Sequence, residues 1–427
     1  MNRSIALISE HASPLAAVGG IDAGGQNIYV AQVARELGRL GYDVDVFTRR
    51  DGERLPDIVD YAPGVRVIHV PAGPASYVRK EELLPYMEAI SDYVCDFAGR
   101  RGGYVLSHAN FFMSGLASLK LKECLSVPYV VTFHALGRVR RLHQREADQF
   151  PEARMAIEDE TIARADGIVA ECPQDHRDLT TLYSADEQRI AVIPCGFDRG
   201  EFWPITKQFA RRALGFSPQE RMLVNVGRLA PRKGLDNLIR GLGRLTHRHR
   251  VTAKLVLVGG NSDLPDPALT PEIARLQAIA AEEGVAKQVL FTGRRSREFL
   301  KLYYSAADIF CTTPWYEPFG ITPLEAMACG TPVIGADVGG IRFSVADGVT
   351  GFLVPPNDPD ALAARAAELL AEPARMREMG RAGMQRVQAQ LTWPKVARAI
   401  SALYERVLGV RMPRRPARIN ARVAVAA

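Results

Sequence analysis

The sequence predicts an α/β protein with two doubly wound, parallel-sheet domains that face each other across a cleft. Three observations favour this fold class. Short apolar runs alternate with amphipathic helical patterns along most of the chain, as they do in parallel α/β proteins. The alternation restarts at residues 201–204, after a turn-rich segment at 194–204 that is typical of a linker. A chain of 427 residues is also too long for one ordinary domain.

The short apolar runs define the predicted strands. In the first domain, residues 1–200, they lie at 5–9, 44–47, 65–69, 105–108, 129–132, 167–170 and 190–193. In the second domain, residues 201–392, they lie at 222–226, 254–258, 289–292, 309–312, 333–336 and 351–354. Helical periodicity is clearest at 26–40 and 360–371. We expect a last helix, within 393–409, to cross back to the first domain.

Composition limits the partners and the compartment. A net charge of +6 is modest for this length and suits a small anionic substrate or weak contact with a membrane surface, rather than nucleic acid. Much of the excess lies in residues 410–427, a basic tail that we expect to be disordered. The sequence starts on a strand-like run, without a signal peptide, and has no apolar stretch of about 18 residues. We therefore expect a cytoplasmic protein without a transmembrane helix.

The cysteines indicate free thiols. None of the six forms a C-x-x-C pair, and their spacing is irregular, which disfavours both a disulfide framework and structural zinc. Free thiols are typical of a reducing compartment. Paired aspartates at 43 and 45 and at 358 and 360 lie in a predicted strand and at a helix start, and neither pair resembles a metal-binding loop. We therefore expect no metal site.

The segment E-P-F-G-I-T-P-L-E places carboxylates at both ends of a turn, at Glu317 and Glu325. Thr322 suits the N-cap of a following helix, and Pro323 suits its first position. The unpaired backbone N–H groups of such a turn can hold a phosphate. A structural alternative is that Glu325, three residues after the cap, only completes a capping box.

Two cations lie in a strand–loop–helix segment, L-V-N-V-G-R-L-A-P-R-K-G. Arg228 closes the strand and Lys233 comes five residues later. Such a pair can neutralise the charge that develops on a diphosphate leaving group, although both residues could also be ordinary loop charges. Beside the carboxylate segment, the diphosphate interpretation is favoured.

The loop after the first strand ends in G-G-I-D-A-G-G-Q-N before a predicted helix. This is not the G-x-G-x-x-G pattern of dinucleotide-binding proteins. Gly24 and Gly25 would nevertheless let the backbone approach a ligand at the helix N-terminus. The alternative is a flexible glycine hinge.

Histidines and arginines follow two strands of the first domain. His134 lies just past one strand and His108 at the end of the preceding one, so both could face the cleft. A lone histidine is, however, often structural. Arg138, Arg140 and Arg141 could meet an anionic acceptor or form a solvated helix face.

Together these segments resemble the family 4 retaining glycosyltransferases, which have the GT-B fold. The matching motifs are G-R-L-A-P-R-K-G, the E-x7-E pattern, the G-G-Q turn, T-F-H-A-L-G around His134, and A-C-G-T-P-V-I followed by G-G-I. The resemblance extends from residue 4 to about residue 408. D-A-G-G-Q-N-I-Y-V and Y-V-R-K-E-E-L-L-P-Y are similar to segments of sucrose-phosphate synthase and sucrose synthase. The mycothiol-pathway glycosyltransferase shares the histidine and glutamate patterns.

The resemblance implies roles for the matching residues. Arg228 and Lys233 would hold the donor diphosphate, Glu325 the ribose and Glu317 the donor sugar, while His134 would lie beside the anomeric centre. Glu317, Arg228, Lys233 and His134 would thus be the catalytic set. Further donor contacts would come from Gly24, Gly25, Phe319, Gly320, Ile321 and the backbone near Arg294. The second domain would bind the donor, and the first would bind the acceptor through Gln26, Lys80, His108, Arg138 and Arg141.

The implied activity is transfer of a hexose, with glucose from UDP-glucose expected, to a small phosphorylated or sugar acceptor. The departing phosphate would take the acceptor proton, so that no cofactor, metal ion or protein nucleophile is required. One alternative is a GDP-mannose-dependent enzyme with a lipid- or polysaccharide-linked acceptor. Other classes are a nicotinamide-dependent oxidoreductase, which the missing glycine pattern disfavours, and a sugar-nucleotide sensor without turnover.

Overall fold

The computed structural model describes residues 3–16 and 24–410, so the predicted tail at 410–427 lies, except for its first residue, outside the described residues. Two separate sheets organise the chain. The strands of the first are β1 Ser4–Ile8, β2 Asp43–Arg49, β3 Ile58–Ala62, β4 Val65–Val70, β5 Leu106–Asn110, β6 Tyr129–Thr132, β7 Gly167–Ala170 and β8 Ile190–Val192. Those of the second are β9 Met222–Val226, β10 Lys254–Val258, β11 Val289–Gly293, β12 Ile309–Thr312, β13 Val333–Ala336 and β14 Gly351–Val354.

Helices connect the strands and cover both faces of each sheet. Up to residue 213 they are α1 Gly25–Arg39, α2 Met87–Arg101, α3 Phe112–Leu125, α4 Gly137–Gln144, α5 Ala153–Arg164, α6 Pro173–Leu182 and α7 Lys207–Ala213. The later ones are α8 Leu235–His247, α9 Pro271–Glu282, α10 Arg297–Ala306, α11 Thr322–Ala328, α12 Gly339–Ser344, α13 Pro359–Ala371, α14 Pro373–Gln390 and α15 Trp393–Leu408. Among the described residues, no helix combines the length and apolar character needed to cross a membrane.

Both sheets are doubly wound, as expected. The strand orders are β3-β4-β2-β1-β5-β6-β7-β8 and β11-β10-β9-β12-β13-β14. The winding direction therefore reverses beside β1 and beside β9. In open α/β sheets, ligands bind outside the carboxyl ends of the strands at such reversal points. We therefore expect a ligand site among the segments that follow β1, β5, β9 and β12.

Every predicted strand is present, with its ends displaced by at most two residues. Strand β3, which pairs antiparallel with β4 at the edge of the first sheet, was not predicted. Its sequence, I-V-D-Y-A, contains no continuous apolar run because an edge strand is only partly covered. The parallel strands were easier to recognise since they are buried on both faces.

Helix α15 packs on the first sheet rather than the second. It contacts α1 and β7, and Ser401 exchanges a hydrogen bond of 2.8 Å with the Tyr42 hydroxyl. The segment that leads into α15 runs beside the interdomain linker, where Phe197 N–H donates to the Leu391 carbonyl. A Cβ atom on Gly196 would lie 2.6 Å from the Trp393 nitrogen, so this approach requires glycine.

Candidate active site

The cleft between the sheets contains two adjoining cavities. The N-terminal cavity is lined mainly by residues that follow β1 and β6 and by the turn after β12, and it measures about 930 Å³ with the open solvent at its mouth included. The C-terminal cavity is lined mainly by residues that follow β9, β10, β11 and β12, and it measures about 1400 Å³ on the same basis. Seven residues line both cavities: Gly24, Gly25, Arg228, Arg232, Glu317, Gly320 and Ile321.

The turn after β12 forms the boundary between the cavities. The backbone of Gly339 and Gly340, at the start of α12, packs against this turn. A Cβ atom added to Gly339 would lie 1.9 Å from the Glu317 carbonyl oxygen. One added to Gly340 would lie 2.4 Å from the Phe319 Cα. Gly340 N–H also donates to the Pro318 carbonyl at 3.1 Å. The backbone of these two glycines therefore packs so closely against the turn that a side chain at either position would clash with it.

A cluster of charges surrounds Glu317. Lys233 Nζ donates to Glu317 Oε2, and Arg232 Nη1 lies 3.7 Å from the same oxygen. Burial lowers the pKa of Lys233 to about 8, although Glu317 opposes this shift. Burial alone would raise the pKa of Glu317, but Lys233, Arg232 and Arg228 outweigh it and the pKa falls below its usual value. The site therefore presents several cations around one ionised carboxylate.

Local backbone geometry brings Lys233 to this position. It ends a single 3-10 turn, Pro231–Lys233, and Gly234 follows with a φ of 62°. A Cβ atom on Gly234 would lie 2.0 Å from the Thr313 carbonyl oxygen, and the Thr313 hydroxyl donates to the Gly234 carbonyl. The loops after β9 and β12 are thus tied together, which brings Lys233 to Glu317.

Glu325 lines the C-terminal cavity but does not form a capping box. Helix α11 has Ile321 as its N-cap, without a side-chain cap, so the expectation of Thr322 at that position is wrong by one residue. The Glu325 carboxylate is buried, where Oε2 accepts a hydrogen bond of 2.7 Å from the Tyr304 hydroxyl. Oε1 lies 3.0 Å from Arg297 Nη2. Tertiary partners have replaced the local cap.

Arg294 also lines the C-terminal cavity. Its backbone N–H donates to the Ser262 carbonyl at 2.7 Å, and its own carbonyl accepts from Arg295 Nη1 at 2.8 Å. Its guanidinium pairs with Asp263. The backbone groups of Arg294 that were expected to face a nucleotide base are therefore already bonded, the N–H to the loop at 259–264 and the carbonyl to the Arg295 side chain.

His134 faces the N-terminal cavity and is firmly held. Its backbone adopts a φ of 58°, which turns the chain just after β6. Nδ1 lies 3.1 Å from Glu171 Oε1, and Nε2 lies 3.1 Å from Asn110 Oδ1. The Tyr29 ring packs edge-on at 4.7 Å. One carboxylate oxygen and one amide oxygen therefore hold the imidazole in place.

The N-terminus of α1 reaches across the cleft to the second domain. A Cβ atom on Gly25 would lie 3.8 Å from Ile321 Cδ1, and one on Gly24 would lie 3.9 Å from Arg228 Nε. Gln26 Nε2 donates to the Asn110 carbonyl at 3.1 Å. The small residues at 24 and 25 leave space at the point where the two cavities meet.

Two groups of predicted acceptor residues must be corrected. His108 is fully buried, with Nδ1 2.7 Å from the Tyr404 hydroxyl and Nε2 2.8 Å from Thr132 Oγ1. Burial, and then the charge of His134, lower its pKa to about 3. The expectation that His108 faces the cleft is therefore wrong, since it joins α15 to the first sheet.

Arg138 and Arg141 also lie away from the cavities. Arg138 forms a bidentate pair with Asp159 at 2.7 Å and links α4 to α5. Arg141 lies 3.8 Å from Glu152. Arg140, on another face of α4, lines the N-terminal cavity together with Lys80. The arginine cluster was recognised in the sequence, but the helix turns only its middle member towards the cleft.

Several cavity residues were missed. His11 lies just beyond β1 in the N-terminal cavity, with Nδ1 2.7 Å from the buried Glu10 carboxylate. Its position after a central strand was a signal that could have identified it. Glu171 directly follows β7 and Arg232 lies in the loop after the central strand β9, so the same signal applied to both, whereas Arg297 begins helix α10 and had none. Among residues 3–16 and 24–410, no group of three or more His, Cys, Asp or Glu side chains could hold a metal ion.

Comparison with known proteins identifies the family. A family model described as "Glycosyl transferase 4-like domain" matches residues 24–196, and one described as "Glycosyl transferases group 1" matches residues 206–386. D-inositol 3-phosphate glycosyltransferase 2 of Catenulispora acidiphila is 36% identical over 410 residues, which cover 95% of each chain. D-inositol 3-phosphate glycosyltransferase of Actinosynnema mirum is 39% identical over 359 residues, which cover 82% of this chain and 85% of the relative.

A solved structure agrees with these relatives. Sucrose-phosphate synthase from Thermosynechococcus elongatus superposes with a TM-score of 0.87 at 34% sequence identity, covering 96% of this chain and all of that one. The predicted fold and family are therefore confirmed. The chain belongs to the family 4 glycosyltransferases and has their GT-B fold.

Proposed function

We propose that this glycosyltransferase moves a hexose, with glucose from UDP-glucose as the first candidate, to a small phosphorylated acceptor and retains the anomeric configuration. One observation carries the proposal: two adjoining cavities meet at Glu317, where Lys233, Arg232 and Arg228 gather. A transferase needs such an arrangement, because donor and acceptor must meet where charge develops on the departing phosphate.

The C-terminal cavity suits the donor. Glu325 would accept a hydrogen bond from the ribose, and Arg228 and Lys233 would bind the diphosphate. Glu317 would contact the sugar hydroxyls while its charge balances the cations around it. The backbone N–H groups of residues 319–321 would assist, because the turn lies on the shared boundary of the cavities. The base would approach Arg294 once the loop at 259–264 has moved.

The N-terminal cavity suits an acceptor that carries a phosphate. Lys80, Arg140 and His11 lie around it, and each can meet an anion or a hydroxyl group. Gln26 would contact an acceptor hydroxyl at the helix N-terminus. The names of the relatives, D-inositol 3-phosphate glycosyltransferase and sucrose-phosphate synthase, support a phosphorylated acceptor or product of this kind.

The chemistry would follow from this placement. The bond between the anomeric carbon and the donor phosphate breaks, and the acceptor oxygen attacks from the same face. The acceptor proton passes to the departing phosphate oxygen. Lys233 and Arg228 stabilise the diphosphate charge, and His134 binds a sugar hydroxyl beside the anomeric carbon. Closure of the domains excludes water and so limits hydrolysis of the donor.

The test is a matrix of nucleotide sugars and acceptors. UDP-glucose, other UDP-sugars, ADP-glucose and GDP-mannose would each be incubated with D-inositol 3-phosphate, with other sugar phosphates and with the same acceptors lacking phosphate. Release of the nucleoside diphosphate gives the rate, and NMR of the product gives the anomeric configuration. We expect turnover only with phosphorylated acceptors, with retention, and without loss in EDTA. An inverted product, or preference for an unphosphorylated acceptor, would contradict the proposal.

A further inference from the structure

Arg297 is shared between two carboxylates at the edge of the C-terminal cavity. Its Nη2 lies 3.0 Å from Oε1 of Glu325. The same guanidinium donates to Oε2 of Glu201, from Nε at 2.9 Å and from Nη2 at 2.6 Å. Arg297 and Glu325 line the cavity, whereas Glu201 belongs to the interdomain linker at 194–204. None of the transfer steps proposed above uses Arg297 or Glu201.

The two oxygens of Glu325 have different environments. Oε2 accepts the hydrogen bond from Tyr304. Oε1 is near the charge of Arg297 but accepts no well-aligned hydrogen bond within the protein. The side chain is only 1% exposed, and a buried carboxylate without a counter-charge is costly. Arg297 therefore offsets the cost of this burial, while Oε1 keeps an acceptor position that no hydrogen bond within the protein fills.

The linker packs against both partners of Glu325. The Arg297 guanidinium lies 5.0 Å from the centroid of the Phe202 ring, and this ring packs edge-on against Tyr304 at 5.8 Å. Asp198, in the same linker, accepts a hydrogen bond of 3.2 Å from Gln32 on α1. The segment that joins the domains thus contacts the support of Glu325 on one side and the first domain on the other.

We propose that Arg297 is a positioning residue that orients Glu325 towards the ribose of the donor, and that Glu201 ties this arrangement to the interdomain linker. The inference rests on the proposed function, because it takes Glu325 as the group that contacts the ribose. It adds two residues that the family motifs do not include. It also makes recognition of the ribose depend on the position of the linker between the domains.

The first experiment measures discrimination of the ribose hydroxyls. Calorimetry would give dissociation constants for UDP, 2′-deoxy-UDP and 3′-deoxy-UDP with the wild-type protein and with Arg297→Gln and Arg297→Lys. A hydrogen bond to a charged acceptor corresponds to a preference of about tenfold or more. We expect wild type to show this preference for UDP over one deoxy analogue, Arg297→Gln to lose most of it, and Arg297→Lys to retain part.

The ratio of the dissociation constants of UDP and its deoxy analogues distinguishes a loss of positioning from a loss of stability. A variant that is merely less stable loses affinity for all three ligands equally, so its ratio stays constant. An unchanged ratio in Arg297→Gln would therefore overturn the inference while leaving the proposed function intact. Failure of the wild-type protein to bind UDP, ADP or GDP would overturn the proposed function itself. If ADP or GDP binds in place of UDP, the deoxy analogues of that nucleotide are used.

The second experiment addresses the linker. In Glu201→Gln we expect discrimination to fall by about threefold, because the charge that orients Arg297 is lost while its charge pair with Glu325 remains. Lys301→Gln is the matched control, since Lys301 also lies on α10 and contacts the linker, 3.6 Å from the Trp203 ring centroid. We expect it to discriminate as wild type does. Equal effects of the two substitutions, or none from Glu201→Gln, would remove Glu201 from the arrangement.

Discussion

Lys233 and Glu317 form an ion pair at the point where the two cavities meet, and they come from loops that follow different strands of the second sheet. The pair is largely buried, and Arg232 and Arg228 add positive charge beside it. Removing Glu317 would leave these cations without their buried counter-charge. The pair is therefore a sensitive place at which to test the assignment of the diphosphate site.

Binding of a nucleoside diphosphate should weaken as the pH rises above 8. The pKa of Lys233 is lowered to about 8 by burial, so its ammonium group is lost above this pH in the empty protein. A bound diphosphate favours the charged form, and binding then takes up a proton. We expect the dissociation constant to rise by up to about tenfold per pH unit above 8. Calorimetry between pH 7 and 9.5, in buffers of different ionisation enthalpy, measures both effects.

Lys233→Arg is the control for this pH dependence, since a guanidinium stays charged throughout the range. The affinity of this variant for a nucleoside diphosphate need not match that of wild type, because a guanidinium presents its N–H donors in a different geometry from an ammonium group. The slope above pH 8 should disappear. Persistence of the same slope in the variant would assign the titration to another group.

Glu171 should act through His134. Glu171→Gln removes the charge beside Nδ1, and we expect kcat to fall by about 10- to 100-fold, the range for a hydrogen bond to a charged group. In a His134→Ala background the same substitution should have little further effect, because the two residues act as a unit. Initial rates of the wild-type protein, the two single variants and the double variant complete this double-mutant cycle. Independent, multiplicative effects would show that Glu171 does not work through the imidazole.

His108 should make the protein sensitive to acid without taking part in turnover. The pKa of His108 lies near 3 when folded, against an ordinary value near 6.5, so between these values the unfolded chain binds more protons. Stability therefore falls as the pH drops below 6.5, by up to about 1.4 kcal/mol per pH unit. Tm measured from pH 7 to pH 4 should decline less steeply in His108→Gln. An identical decline in wild type and variant would exclude His108 as the source.

Gly340→Ala should damage the site through the turn at 317–320. The new Cβ atom would overlap Phe319, whose Cα would be 2.4 Å away, so the turn must move. We expect kcat/KM for the donor to fall by at least about tenfold, since small displacements of binding groups are costly in catalysis. Gly99→Ala in α2 is the control, because its Cβ atom meets nothing within 4 Å, and it should add about 0.5–1 kcal/mol of stability.

Arg140 and Arg138 should separate acceptor binding from stability. Arg140→Ala removes a cation from the N-terminal cavity, and we expect the acceptor KM to rise by about tenfold or more with a smaller change in donor KM. Arg138→Ala breaks the pair with Asp159 and should lower Tm while leaving the acceptor KM unchanged. Steady-state kinetics and thermal unfolding of both variants distinguish the roles. A larger KM effect at Arg138 would reverse the assignment.

The sequence was sufficient for the strands because their signal is local. Buried parallel strands read as apolar runs, and seven of those predicted have the observed ends, including β9 Met222–Val226 and β12 Ile309–Thr312. The half-covered edge strand β3 has no such run and was missed. The charged motifs were equally visible, since Glu317, Arg228 and Lys233 stand beside glycines and prolines in loops that follow strands.

Orientation was what the sequence left open. Glu325 has the spacing of a capping box, but Tyr304 and Arg297 hold it from elsewhere in the chain. His134 follows β6, whereas His108 lies within β5, and helix α15, about 300 residues further on, supplies the Tyr404 that bonds to His108. In the sequence, both histidines stand at or just past the end of a predicted strand, so the local pattern did not distinguish the buried histidine from the one in the cleft.

By itself, the sequence determined the two doubly wound domains, the family and the loops that carry the charged residues. These depend on short-range patterns of apolar, glycine and charged residues. The tertiary structure alone decided which side chains reach the cleft and which stabilise the core. It turned Arg140 rather than Arg138 towards the cavity, buried His108, and placed Arg297 between Glu325 and the linker. Such outcomes depend on packing between distant segments, because a buried charge or imidazole needs partners that no local pattern specifies.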